Sequence, residues 1–480
     1  MRPAAIVRLS WLAILLALTS VAPAEWQRIG VNHGLIDELF GDQFLGYERP
    51  PGFREVRGKL AIERFPGCSG APAQVGPEGA SIDAPGPDEE VFAFFVDLGD
   101  GPVASSDLLL YLAGGGACWD HATCVDSAVG PLPTYFPTFS ENEYYLQFAS
   151  NDSLPDGTPL YGAGGILTNL AARPENPYAG FSKVYIPYCT GDIHIGSSDT
   201  TYHPGEDSAL PEWTIQHRGF DNLLVVLKWL ERQQQNGLAI DALTVAGSSA
   251  GGYGALINYP VIREALGEGL DYSIIVDSAN GVLTDGFLKT AFGSPVEPRD
   301  EEEPDERGVW GARKNVHEIL QPVLDLEAKS LWLSAFRTIG WAYPDTRISQ
   351  STAAFDAVQA LVLLFMQQVD DETYNPFEPP PEAEITRTAL FEWSPKARMK
   401  MLTTAFRVPN FRYYLGAGAG HIHLLDPPTD VVDFPTTNYF EEDSARGVEY
   451  TQWLDDMLNN PRRFFRTDWR NLSCFPYCLQ

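Results

Sequence analysis

Leu243-Thr244-Val245-Ala246-Gly247-Ser248-Ser249-Ala250-Gly251-Gly252-Tyr253 is the stretch on which the fold reading turns. Residues 243–246 form a short apolar run of the kind that builds a buried strand, and residues 251–266 read as a helix. The small residues between them suit a tight strand-to-helix turn. Upstream, residues 220–235 place Leu223, Leu227 and Leu230 at helical spacing, with Asp221 near the start and Gly237 just past the end as cap residues. Helix, strand, tight turn and helix in that order make a βαβ unit. It predicts an α/β fold with a mostly parallel sheet covered by helices on both faces.

Working outward, strands are expected at residues 91–98, 108–112, 184–188, 273–276, 361–365 and 412–415, each a short run of β-branched, aromatic or aliphatic residues. Tyr450, Trp453, Leu454, Met457 and Leu458 share one helical stripe that should close the sheet. Residues 25–87 are rich in Gly and Pro and read as an N-terminal extension lying on the domain. The domain itself spans 88–480, with a cap-like or lid insertion at about 285–345 that holds the acidic run 300–306.

The chain has 480 residues, with 33 Lys plus Arg against 64 Asp plus Glu, a net charge of −31 and 44% hydrophobic content. That apolar content excludes a disordered chain, and the acidic balance argues against a partner built on nucleic-acid phosphates. Arg2 and Arg8 precede an apolar run at 9–21 that ends in Ala22-Pro23-Ala24. The run is shorter than the roughly 20 residues that span a bilayer, so residues 1–24 read as a secretory signal peptide. Export to a periplasm or outside the cell, with no stable membrane insertion after cleavage, is the expectation. Six cysteines in an exported chain favour disulfides over metal. Short-range pairing suggests Cys118 with Cys124 and Cys474 with Cys478, leaving Cys68 with Cys189.

Gly247-Ser248-Ser249-Ala250-Gly251 has the G-x-S-x-G spacing of a nucleophile elbow, in which a strained turn after a strand presents a serine and small neighbours avoid collision. A serine hydroxyl needs an imidazole to take its proton and a carboxylate to orient that imidazole. Beyond Ser249 the histidines are His317, His421 and His423. His317 lies in the insertion, and a surface or cap role is expected for it. His421 follows a strand and the run Gly416-Ala417-Gly418-Ala419-Gly420, so it is the choice for the base, with His423 the runner-up and packing beside the site its expected role. The acid should end a strand. Asp277, Asp370 and Asp371 are the candidates, and Asp371 is placed first. The tetrahedral intermediate needs preorganised N–H donors. Ala250 supplies one, and the Gly114-Gly115-Gly116-Ala117 turn supplies others.

These residues resemble the pectin acetylesterase and Notum family of serine carboxylesterases, which has an α/β-hydrolase-type fold. The resemblance rests on Leu112-Ala113-Gly114-Gly115-Gly116-Ala117-Cys118-Trp119, on Ile186-Pro187-Tyr188-Cys189-Thr190-Gly191-Asp192, on the elbow at 247–253 and on Asp277-Ser278. It implies Ser249 as nucleophile, Gly115, Gly116 and Ala250 as oxyanion donors, and His421 as base. The acid of the family opens a motif like Asp-Glu-x-Gln, which Asp371-Glu372-Thr373-Tyr374 matches without the Gln.

What the resemblance implies is ester hydrolysis through an acyl-enzyme, with no metal or organic cofactor. An acetyl or other short acyl ester on a carbohydrate is the expected substrate. Two alternatives stand beside it. A long-acyl deacylase or thioesterase is suggested by Leu331, Trp332, Phe336 and Ile339 on one helical face, and a catalytically silent carbohydrate-binding protein by the Trp and Tyr content.

Overall fold

The computed structural model describes residues 26–41, 62, 64–71, 91–98, 105–137, 165–168, 175–205, 208, 210–293, 308–425, 440, 443–459 and 469–478. The expected signal peptide, the acidic run 300–306 and much of the 25–87 extension lie outside these residues.

Among the described residues nine strands form one sheet: β1 (Gln27–Val31), β2 (Phe92–Asp97), β3 (Asp107–Leu112), β4 (Ser182–Ile186), β7 (Ala242–Ser248), β8 (Asp271–Asp277), β9 (Arg347–Ala353), β10 (Phe411–Gly416) and β13 (Leu472–Ser473). Their order is β1-β2-β4-β3-β7-β8-β9-β10-β13. Only the β1–β2 and β2–β4 pairs are antiparallel, so the sheet is mostly parallel. Two further strand pairs stand apart from it, β5 (Ser198–Tyr202) with β6 (Trp213–His217), and β11 (Asp443–Ala445) with β12 (Val448–Glu449).

Apolar residues of β3, β7 and β8 are buried along nearly their whole length. Successive side chains point to opposite faces of a sheet, so both faces are covered, as a parallel sheet requires. The helix Ala250–Leu266 packs on β3, β7 and β8 and also against the helix Gly219–Gln235. This is the α/β-hydrolase-type arrangement expected from the sequence. The chain runs from β3 to β4 on one side and β7 takes the other, so a topological switch point falls between β3 and β7. In open α/β sheets a crevice opens there at the carboxyl ends of the strands. Leu112 at the end of β3 pairs with Gly247 near the end of β7, which sets the Gly turn beside the elbow.

Two expectations change. Part of the N-terminal extension is integral to the sheet, because β1 pairs residue for residue with β2. Residues 361–365 are not a strand; they lie inside the helix Ala357–Asp370. The neighbouring strand is β9, Arg-Ile-Ser-Gln-Ser-Thr-Ala, whose residues are all buried although most are polar. Its hydroxyls and amide are satisfied inside the protein: Ser349 Oγ donates to Ile274 O at 2.9 Å and Gln350 Nε2 to Ala279 O at 2.9 Å. A polar strand and the apolar helix that follows it exchanged their sequence signatures.

The helices Asp285–Phe292 and Ala328–Ala342 follow β8, and the second packs against Ala250–Leu266. The cover over the switch point continues past residue 345 with the helix Ala357–Asp370. All three disulfides pair as expected: Cys68–Cys189, Cys118–Cys124 and Cys474–Cys478.

Candidate active site

Ser249 sits between β7 and its following helix with φ 56° and ψ −123°, a conformation that costs a non-glycine residue energy and survives only where its surroundings enforce it. They do so through close packing. A Cβ on Gly247 would lie 2.2 Å from Gly251 O, one on Gly251 2.0 Å from Leu112 O, and one on Gly252 2.8 Å from Asp277 O. Ser249 N donates to Asp277 O at 2.8 Å, tying the turn to the end of β8. The fold thus pins the serine at the N-terminus of Ala250–Leu266, where the helix dipole and free N–H groups favour negative charge.

The Gly turn lies against this elbow. A Cβ on Gly114 would stand 2.6 Å from Ser248 O and 3.0 Å from Ser249 Cβ. Gly115 and Gly116 have φ 153° and 78°. The turn is latched on its far side by Ala117 N to Thr134 O at 3.0 Å and by Phe136 N to Gly115 O at 2.9 Å. Among the described residues, the N–H groups of Gly115 and Gly116 donate to no backbone carbonyl. Ala250 is the first residue of its helix, so its N–H has no intrahelical acceptor. Beneath the turn, His194 Nε2 donates to Ala113 O at 2.8 Å. Burial drives its pKa down to about 4 against that bond, so the ring stays neutral at ordinary pH.

The Tyr188-Cys189-Thr190-Gly191-Asp192 motif is a brace. Asp192 is fully buried and accepts from Thr190 Oγ1 at 2.6 Å, His194 N at 3.2 Å and Gly219 N at 2.8 Å. It stands at the start of the helix Gly219–Gln235, where a carboxylate complements the dipole. Cys118 N reaches Gly191 O at 3.0 Å, which joins the brace to the Gly turn.

The loop after β10 sets the imidazole. Ala354 N, Phe355 N and Ala357 N donate to Gly416 O, Gly418 O and Ala419 O at 2.9, 3.0 and 3.0 Å, zipping the loop after β10 to the loop after β9. Gly418 N also reaches Cys478 O at 3.0 Å, so the Cys474–Cys478 loop supports it from behind. This brings His421 Nδ1 to 2.9 Å from both carboxylate oxygens of Asp356. Asp356 is fully buried and caps the helix Ala357–Asp370 through Gln359 N at 2.9 Å.

Burial works against charge on the His421 ring, but the Asp356 carboxylate outweighs it and raises the pKa above the usual imidazole value. Burial pushes Asp356 itself up, with His421 pulling it back.

Asp371, placed first from the sequence, does not meet His421. It is the exposed C-terminal cap of the helix that Asp356 begins, and Asp370 ends that helix beside Gly286. The cause is the misread segment 361–365: once it is helical, the strand-end acid moves from its C-terminus to its N-terminus. Asp356-Ala357-Val358-Gln359 also keeps the Gln that Asp371-Glu372-Thr373-Tyr374 lacks, a signal available in the sequence.

Asp277 has a different task. Its carboxylate, buried throughout, accepts from Ser248 Oγ at 2.9 Å, Ser351 Oγ at 2.8 Å, His423 N at 2.9 Å and Leu424 N at 3.0 Å. Tyr111 OH donates to Ser248 Oγ at 2.8 Å and extends the chain. Burial alone would raise the Asp277 pKa, yet His423, Leu424 N–H and Ser351 together hold it below the ordinary carboxylate value. One carboxylate thereby fastens the histidine loop to the elbow strand. His423 is buried beside it, and His317 pairs with Glu264 at 2.8 Å near the surface. Cys118, Cys124 and His217 converge, but the two sulfurs are bonded to each other and offer no thiolate to a metal.

A cleft opens beside Ser249, Ala250 and Gly116. Ile257, Phe287, Phe292, Leu331, Trp332 and Met366 line it, with the Gln359 side chain among them. Of the helical face noted in the sequence, Leu331 and Trp332 reach this cleft, whereas Phe336 meets Phe411 edge-to-face and Ile339 is buried in the core.

Residues 88–285 match the family model for pectinacetylesterase. Over 162 residues, 33% of this chain, the sequence is 28% identical to the palmitoleoyl-protein carboxylesterase notum1 of Xenopus laevis, and the match spans 27% of that protein's length. A solved structure of the Wnt deacylase Notum from Drosophila aligns over 78% of this chain and 90% of its own, with 17% identity and a TM-score of 0.43. The segment matched by the family model contains the Gly turn, the Tyr-Cys-Thr-Gly-Asp brace, the elbow and Asp277.

Proposed function

We propose that this chain, whose residues 88–285 match the pectinacetylesterase family model, is an exported serine carboxylesterase with Ser249, His421 and Asp356 as its triad and Gly115, Gly116 and Ala250 as oxyanion donors. The observation that supports it most is the pairing of a half-buried His421 with the buried Asp356, on a loop fastened to the strained Ser249 elbow.

In this mechanism Asp356 accepts from Nδ1 of His421, which leaves Nε2 to take the proton of Ser249 Oγ as the hydroxyl attacks the ester carbonyl. Negative charge then develops on the carbonyl oxygen. It is met by the N–H groups of Gly115, Gly116 and Ala250, of which a single donor is worth about 2.7–4 kcal/mol in such sites. His421 returns the proton to the leaving alkoxide. Water activated by the same ring then releases the carboxylic acid and restores Ser249. Three disulfides fit an exported protein, and no helix among the described residues is long and apolar enough to cross a membrane.

Beside the acetyl or short acyl group that the sequence suggested, the cleft supports a second reading with a longer apolar acyl chain. Its lining is almost wholly aliphatic and aromatic, and each CH₂ buried there contributes about 0.8 kcal/mol. On the ground of that apolar lining we favour an acyl chain of several carbons over acetate, in the same sense as the printed name of the Xenopus laevis relative. The leaving group is a separate matter, and an acylated carbohydrate remains our proposal for it.

Hydrolysis of p-nitrophenyl esters from acetate to decanoate by the wild type and Ser249→Ala tests both statements. Rates that climb beyond butyrate and vanish in the variant support the reading. A maximum at acetate would return the short-acyl assignment, and turnover that survives in Ser249→Ala would remove the triad.

A further inference from the structure

The helices Ala328–Ala342 and Ser394–Arg407 lie side by side. Lys400 Nζ donates to Ala328 O at 3.1 Å and Lys329 O at 3.0 Å near one end, and a Cβ on Gly340 would lie 2.4 Å from Val408 Cγ1 at the other. Their inward residues, among them Ala335, Ala397, Met401 and Thr404, are buried. The outward side is apolar where solvent should favour polar groups. Phe406 is 90% exposed, Trp341 66% and Met399 63%, with Leu402 between them. Phe406 and Trp341 flank the Gly340–Val408 contact, so they share one end of the surface.

Charge marks the same two helices. They carry Lys329, Arg337, Lys396, Arg398, Lys400 and Arg407 and not one acidic residue, in a chain whose acids outnumber its bases by 64 to 33. Five of the six bases are exposed, and Lys400 is the partly buried one. At the margins Glu327 pairs with Lys329, Glu392 pairs with Arg387, and Arg398 stacks on Phe475. Exposed aromatic and aliphatic side chains ringed by Lys and Arg form the composition that settles at the headgroup level of a bilayer.

We propose that this two-helix face docks the protein on an anionic lipid surface. The charge pattern singles out that occupant. A second copy meeting this face symmetrically would set like charges against each other, and a head-to-tail contact would not close. A soluble polyanion would satisfy the bases but offers no apolar medium for Phe406 and Trp341. The overall negative charge does not prevent docking, because at physiological salt acids more than about 8 Å away are screened while bases at the contact are not.

Flotation of the full chain with vesicles of phosphatidylcholine alone, or mixed equally with phosphatidylglycerol, tests the proposal. Binding to the mixed vesicles should exceed binding to the neutral ones by about tenfold and weaken between about 0.1 M and 1 M salt. Trp341→Ser/Phe406→Ser and Lys396→Glu/Arg407→Glu should each lower it about tenfold at an unchanged melting temperature. Equal binding to both vesicles, absence of binding, or binding that survives either double variant would overturn the proposal. So would a dimer that dissociates in Trp341→Ser/Phe406→Ser, or capture by dextran sulfate that this variant leaves intact; these assign the face to a second copy or to a polyanion.

Discussion

Nδ1 of His421 lies 2.9 Å from both carboxylate oxygens of Asp356, across 65 residues of chain. The contact exists because the backbone after β10 is hydrogen-bonded to the backbone after β9, so register rather than side-chain attraction brings the two together. In that geometry the carboxylate fixes the tautomer that leaves Nε2 free, and the first expectation follows. Asp356→Asn should lower kcat on a p-nitrophenyl ester by about 10⁴ with little change in KM. Asp371→Asn and Asp370→Asn should stay within about twofold, since surface changes away from a site are nearly neutral. A large loss in Asp371→Asn would restore the assignment read from the sequence.

The same pair sets a pH dependence. His421 must be neutral to act as base, and Asp356 raises its pKa above the ordinary imidazole value. The acid limb of kcat/KM should therefore fall above about pH 6.5, with activity rising as pH increases through it. A limb below that value, measured from pH 4 to 9, would contradict the raised pKa.

Asp277 makes a stability prediction with a definite sign. Its folded pKa is depressed, so its contribution is present above the unfolded value of about 3.9 and is lost as pH falls through the folded value. Asp277→Asn keeps the shape but cannot accept equally from Ser248, Ser351, His423 N and Leu424 N. With charged hydrogen bonds worth about 1.5–3 kcal/mol each, a loss of about 3 kcal/mol is expected in urea unfolding at pH 7. The gap between wild-type and variant stabilities should narrow as pH falls below about 3.9; a gap unchanged between pH 7 and pH 2 would refute a charge-based role.

Gly116 tests the oxyanion turn. Its φ of 78° and a Cβ position 2.0 Å from Thr134 O mean that Gly116→Ala must move the turn. Loss of an aligned donor should lower kcat by about 10²–10³ while binding of a product carboxylate changes little. Full activity in Gly116→Ala would show that this turn does not face the reacting oxygen.

Much of this was readable in the sequence because the elbow depends on residue size. Gly247, Gly251 and Gly252 are required by contacts that a Cβ would break, so small residues at that spacing report the turn directly. The Gly turn and the Cys118–Cys124 and Cys474–Cys478 disulfides were legible for similar local reasons, and Cys68–Cys189, 121 residues apart, followed from the two cysteines left over. Asp356 was not. Its strand is built of buried Ser, Gln and Thr whose partners, such as Ile274 O and Ala279 O, lie about 75 residues away, and hydrophobic patterning cannot see them. The apolar run at 361–365 was equally ambiguous by period, and its burial inside a helix decided the matter. The cleft was hidden because its lining comes from segments far apart in sequence, as with Ile257, Phe287, Trp332 and Met366.

The central claim is that Ser249 is the nucleophile of a serine esterase. Intact-mass analysis after exposure to an alkyl fluorophosphonate tests it most directly. One adduct per chain is predicted, located on Ser249 by peptide mapping and absent from both Ser249→Ala and the heat-denatured protein. An unlabelled native chain, or an adduct that persists in Ser249→Ala, would contradict the account.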